Sequence, residues 1–191
     1  MVVGVLSAMA PLPAAAEPLL RTRVGIGLGS TQHRGKDSLA GPGLVLEVTK
    51  PVSPTASVGL HLGLEYGSQY DYDPRAMFTD SKDETFAAVW SGVVLQKEVS
   101  PGAFFSPWLG VSTGYEDRCN YHADKVRPAN SEFDCPDSGA SSLGMAAGLG
   151  LAVDLVKASP HRGQGFVQAA VGLGVESFTI LFGASYRYSC D

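Results

Sequence analysis

The chain has 191 residues, with 14 Lys+Arg against 19 Asp+Glu and a formal net charge of −5. Charged residues are only 17 % of it, against about 25 % in soluble globular domains, and no basic tract offers a footprint for nucleic acid. At 45 % hydrophobic the chain is not disordered, and three cysteines without a C-x-x-C spacing exclude a zinc site or a disulfide-framework mini-protein.

Met1 to Ala16 carries no charge, and its apolar stretch Val2–Met9 is followed by Pro11, Pro13 and Ala14-Ala15-Ala16. This reads as a secretory signal peptide over 1–16, cut after Ala16, though without the usual basic start. The remaining 17–191 form one domain of ordinary size. No apolar run is long enough for a transmembrane helix, which takes about 20 residues.

Eight segments then alternate apolar with small or polar residues. Val24, Ile26 and Leu28 oppose Gly25, Gly27 and Gly29; Leu44, Leu46 and Val48 oppose Val45, Glu47 and Thr49. The third sets Val58, Leu60, Leu62, Leu64 and Tyr66 against Gly59, His61, Gly63 and Glu65. In the fourth, Ala87, Val89, Val93 and Leu95 form the apolar row, with Phe86 and Trp90 on the other. The fifth runs through Phe105, Leu109, Val111 and Tyr115; the sixth, through Leu143 to Leu155, is the most regular. Val167 to Val175 and Phe178 to Tyr188 complete the set. Period two over this many segments predicts strands.

Connections alternate in length. Thr31–Gly43, Ser68–Asp83 and Asp117–Ala140 read as long loops, and the other ends carry tight turns containing Ser53-Pro54, Ser100-Pro101 and Ser159-Pro160. Lys50, Lys97 and Lys157 each stand just before one of these Ser-Pro turns, a weak repeat of hairpin units.

Alternation fits both a soluble barrel with an apolar inside and a membrane barrel with an apolar outside. The second row is mostly Gly, Ala and Ser with isolated charges, which suits the crowded interior of an eight-stranded barrel better than a water-facing surface. The apolar row is then the lipid-facing band. Tyr66, Tyr115 and Phe178 mark its long-loop edge, and Phe105, Tyr186 and Tyr188 its short-turn edge. The expected fold is all-β, an eight-stranded antiparallel up-and-down transmembrane β-barrel.

With its signal peptide, alternating connections and final Ile180-x-Phe182-x-Ala184-x-Tyr186-x-Tyr188, the chain resembles the small outer-membrane barrels of the OmpA transmembrane-domain and OmpX type over residues 21–188. The resemblance implies residence in the outer membrane of a Gram-negative bacterium.

Specific chemistry is scarce. Gly25-x-Gly27-x-Gly29 lacks the spacing of a nucleotide loop. His33, His61, His122 and His161 have no ligand spacing. Asp71, Asp73, Asp80 and Asp83 read as solvated loop acids rather than a calcium site. No catalytic, cofactor-binding or metal residues are assigned.

Arg23, Glu47, Glu98, Asp154 and Arg187 fall in the short-turn half of the inward rows and predict a lumenal charge cluster, because buried charges need partners. Cys119 and Cys135 share the third long loop, whereas Cys190 sits at the opposite rim; the expected disulfide is Cys119–Cys135. The functional expectation is a monomeric, non-enzymatic, non-porin barrel in outer-membrane lipid, with a structural or surface-interaction role toward a host, cell-surface or envelope ligand at its loops. The alternatives are a lipid-A-modifying outer-membrane enzyme and a soluble ligand-binding barrel. An enzyme would need a serine within reach of a histidine base, and the fifth, seventh and eighth segments supply no histidine.

Overall fold

The computed structural model describes residues 20–33, 38–72, 81–123, 131–134, 139–140, 143–158, 160–172 and 177–189. Eight long strands form the barrel: β1 (Arg21–His33), β2 (Ser38–Ser53), β3 (Ala56–Tyr72), β4 (Ser81–Ser100), β5 (Ala103–Ala123), β8 (Gly144–Ala158), β9 (His161–Gly172) and β10 (Ser177–Ser189). Two short pieces, β6 (Ser131–Asp134) and β7 (Gly139–Ala140), pair with the upper part of β5. Each long strand pairs antiparallel with the next long strand in the chain, β5 joining β8, and β1 pairs with β10, so the sheet closes on itself. Closure leaves no barrel edge with unpaired backbone groups, the condition for lying in lipid.

The three short turns share one construction. Each is preceded or followed by a register shift: Pro51/Ser53, Glu98/Ser100 and Asp154/Val156. A bulge at a barrel rim bends the strand into the turn. Between Ser100 and Ala103 the chain reverses through Pro101 and a left-handed Gly102 (φ 81°), the positions where a type II turn wants Pro and Gly.

Two glycine pairs face each other across opposite seams of the ring: Gly27 with Gly183 between β1 and β10, and Gly92 with Gly110 between β4 and β5. A Cβ on Gly27 would lie 2.3 Å from the Phe182 carbonyl oxygen, and one on Gly92 2.3 Å from that of Leu109. Only glycine permits strands this close.

At the other end the structure differs from the sequence expectation. Much of the three expected long loops is strand: β1 and β2 pair up to Gln32–Ser38, β3 and β4 up to Tyr72–Ser81, and β5 runs on to Ala123. The 20 residues of β4, rising roughly 3.3 Å each at a tilt of about 40°, reach roughly 50 Å and stand well clear of a ~25 Å apolar band. Above the membrane both faces of a strand are wet. The period-two signal therefore stops although the hydrogen-bonded ladder continues.

The expected signal peptide and Cys190 lie outside the described residues, as do the last residues of the seventh segment, Leu173 to Glu176.

Candidate functional site

The exterior is apolar. Ile26, Leu60, Leu109 and Phe182 are each 60–67 % exposed, and Leu149, Leu151, Val153 and Leu155 form one outward row on β8. Tyr66 and Tyr115 flank Ala87 at one level near the long-loop end, and Tyr186 and Tyr188 are exposed near the short turns. Such a surface is stable only against hydrocarbon. The interior carries the polar groups, and the molecule is inside-out relative to a soluble barrel.

The lumen is filled. Trp90, Phe86 and Trp108 are buried on the inward side with Leu39, Val94 and three alanines, and a second apolar cluster gathers Val45, Phe104, Ala152, Phe166 and Leu181. Trp90 and Trp108 thus point inward, as their register requires, and meet edge to face at 6.1 Å. Glycines make room for them: a Cβ at Gly148 would lie 2.3 Å from the Trp108 indole nitrogen.

A polar chain crosses between these clusters. The Arg23 guanidinium donates to Glu47 Oε1 at 2.7 Å, and the same oxygen lies 3.2 Å from His61 Nδ1. A carboxylate only accepts, so Nδ1 carries the proton. His61 Nε2 lies 3.3 Å from Gln168 Nε2, which donates to it. β3 and β9 stand four strands apart around an eight-strand ring, so the His61–Gln168 bond spans the lumen from wall to wall. Toward the long-loop end Glu65 of β3 accepts from the Thr179 hydroxyl of β10 at 2.7 Å and lies 3.5 Å from Thr31 Oγ1. Arg23 and Glu47 belong to the lumenal charge cluster expected from sequence, whereas the meeting of His61 and Gln168 across the lumen was not expected. The only signal was inward parity.

The five charges expected in the short-turn half are distributed over several contacts. Arg23 and Glu47 form a fully buried ion pair. Asp154 accepts from Arg162 at 3.0 Å and from Gln164 at 2.8 Å. Glu98 accepts the Gly102 backbone N–H at 2.9 Å and so caps its own turn. The Arg187 guanidinium lies 4.3 Å from the Phe104 ring centroid, a cation–π contact. Register sets Arg23, Arg187 and Arg162 side by side on β1, β10 and β9. Glu47 extends that row on β2 and Lys157 extends it on β8, opposite Arg162, while Asp154 reaches Arg162 through its side chain. Arg162, hidden beside a turn in the sequence, is the member that inspection of the alternating rows missed.

Of the expected disulfide, Cys119 has its backbone opposite Asp83 in the β4–β5 ladder, and Cys135 lies outside the described residues.

No protein-family model matches the chain, and no curated protein matches it by sequence. Among solved structures it is similar to Ail, the attachment invasion locus protein of Yersinia pestis, at 14 % identity over 91 % of this chain and 100 % of that one, with a TM-score of 0.52. The same protein solved with the heparin analogue sucrose octasulfate gives 14 % identity, the same coverage of both chains and 0.51. The outer membrane protein OprG of Pseudomonas aeruginosa aligns at 14 % identity over 91 % of this chain and 98 % of that one, with a TM-score of 0.48. The chain has the fold of the small eight-stranded outer-membrane β-barrels.

Proposed function

We propose that this protein is a plugged, monomeric barrel of a Gram-negative outer membrane, neither porin nor enzyme, whose work is done at the surface by the strand extensions and loops above the membrane. The lumen carries this reading. Wall-to-wall contacts from His61 to Gln168 and from Glu65 to Thr179 lie among buried aromatic rings, and an eight-stranded barrel whose side chains fill the interior has no aqueous path. Against a soluble ligand-binding barrel stands the apolar exterior. Against a lipid-A-modifying enzyme stands the environment of His61: both ring nitrogens are engaged, by Glu47 and Gln168, and the ring stacks on Trp108, so the imidazole is built into the plug rather than offered to a nucleophile.

Fold alone does not name a ligand. Ail has been solved with a sulfated heparin analogue. Here the outer segments carry Asp71, Asp73, Asp80, Asp83, Glu116 and Asp117, and like charge disfavours a polyanion. A neutral or cationic surface ligand fits better.

Two measurements test the reading. In planar bilayers the purified protein gives no regular conductance steps; large ohmic steps would contradict the plug. Cells displaying the protein should bind a neutral or cationic surface ligand, and replacing the tips of the expected loops Ser68–Asp83 and Asp117–Ala140 with short turns should abolish binding while the barrel still inserts. Unchanged binding would remove the loops from the role.

A further inference from the structure

Inward charges at the short-turn mouth of the lumen are unequal in number. Among the described residues the cations are Arg21 and Arg23 on β1, Arg187 on β10, Arg162 on β9 and Lys157 opposite Arg162 on β8. The acids are Glu47, Glu98 and Asp154, so the mouth carries two more positive charges than negative ones. Each acid is already engaged. Glu47 holds Arg23 at 2.7 Å. Asp154 holds Arg162 at 3.0 Å, and its Oδ2 converges with the Lys157 ammonium on the Gly102 turn, where a Cβ would lie 3.2 Å from one and 2.7 Å from the other. Glu98 accepts the Gly102 backbone N–H.

Arg21 and Arg187 are left without a carboxylate partner. Arg21 is half-buried and donates to the Ser57 hydroxyl at 3.2 Å. Arg187 is only 4 % exposed, and its Nη1 is buried with no hydrogen-bond partner. The Phe104 ring under its guanidinium offsets part of the desolvation cost but satisfies no N–H. Like charges on Arg21 and Arg162 repel it, and the acids that attract it, Asp154 and Glu98, are held by other donors. Arg23, beside it in the ladder, adds two more buried donors without partners, Nε and Nη1. The cluster opens at the rim. Arg162 stands one residue from the start of β9 with its side chain 34 % exposed, so a solute coming from the short-turn side meets Arg162 and Arg21 first and Arg187 behind them.

We propose that the short-turn mouth of the lumen is an oxyanion site that takes a phosphate group, with Arg187 as its inner donor and Arg21 and Arg162 as its outer arms. A guanidinium presents its N–H groups in a planar fork that matches two oxygens of a phosphate. A phosphate monoester carries about −1.5 to −2 at neutral pH, which matches the unbalanced charge of the mouth. The same group is offered by free phosphate and by a monoester lipid headgroup reaching over the rim. The site adds to the surface role above and rests only on the barrel fold.

The test titrates the full chain, folded in neutral detergent free of phospholipid, with inorganic phosphate by calorimetry at constant ionic strength, so that screening is held fixed. A second titration uses short-chain phosphatidic acid. Wild type should bind with a saturable stoichiometry of one per chain, and Arg187→Gln should weaken binding by about tenfold or more, the worth of a lost hydrogen bond to a charged group. Arg162→Gln, at the half-exposed arm, should weaken it by a smaller factor and carries the test if the buried substitution fails to fold, which circular dichroism reports. Lys50→Gln, on the outward row of β2, should change nothing. Binding of inorganic phosphate identifies the soluble source, and binding of phosphatidic acid alone identifies the headgroup. Wild type that binds neither, or an affinity unchanged by Arg187→Gln and Arg162→Gln, would overturn the site.

Discussion

His61 and Trp108 stack in the barrel lumen with ring centroids 4.6 Å apart and planes inclined by 16°. One belongs to β3 and the other to β5, so the contact reaches past β4 across the interior. It ties the polar chain from Arg23 through Glu47 to the aromatic part of the plug. A buried ion pair at the head of such a chain makes its own removal expensive.

Glu47→Ala should therefore destabilise the barrel by about 3–5 kcal/mol, because it leaves the buried Arg23 guanidinium uncompensated. Removing both, as Arg23→Met with Glu47→Leu, should cost much less, since an apolar pair of similar volume avoids the desolvation penalty. Urea unfolding in lipid vesicles measures both. A double variant as unstable as Glu47→Ala would show that the pair does more than neutralise itself.

The glycine seams give a second expectation. Gly27→Val should cost about 1–3 kcal/mol or more, as its Cβ would meet the Phe182 carbonyl oxygen at 2.3 Å, a backbone atom that cannot move aside. Gly165→Ala should stay within about 0.5 kcal/mol, its nearest neighbour being the end of the Leu155 side chain at 3.5 Å. The same urea titration, run on both, checks the contrast. Equal effects would mean that the close approach of β1 and β10 is relaxed in the lipid-bound molecule.

Legibility in the sequence followed the solvent. Lipid demands an apolar side chain at every second position, so the outward row from Leu149 to Leu155 could be read directly. The lumen imposes no such rule. It is a packed core, and Phe104, Phe166 and Leu181 sit there beside Glu47 and Gln164, so inward residues are marked by parity and not by polarity. The strand ends were hidden because both faces of β3 and β4 are wet above the membrane. The His61–Gln168 bond joins residues 107 apart in the chain. It follows from closure of the ring, which no local pattern encodes.

A third expectation concerns the thiols. Cys119 and Cys135 stand 16 residues apart in the third loop expected from the sequence. The oxidising compartment of the proposed membrane location permits a disulfide between them. Non-reducing peptide mapping should recover these two peptides joined and Cys190 open to alkylation. A linkage through Cys190 would contradict the expected pairing.

The account stands or falls on which face of the strands meets lipid. Nitroxides placed one at a time from Leu149 to Val153, in a chain whose native cysteines are replaced by serine, report it through their accessibility to oxygen and to a water-soluble nickel complex in vesicles. The account predicts oxygen maxima at 149, 151 and 153, where the native side chains are 51–54 % exposed, minima at 150 and 152, and low nickel accessibility throughout. High nickel accessibility at 149, 151 and 153 would place that face in water and contradict it.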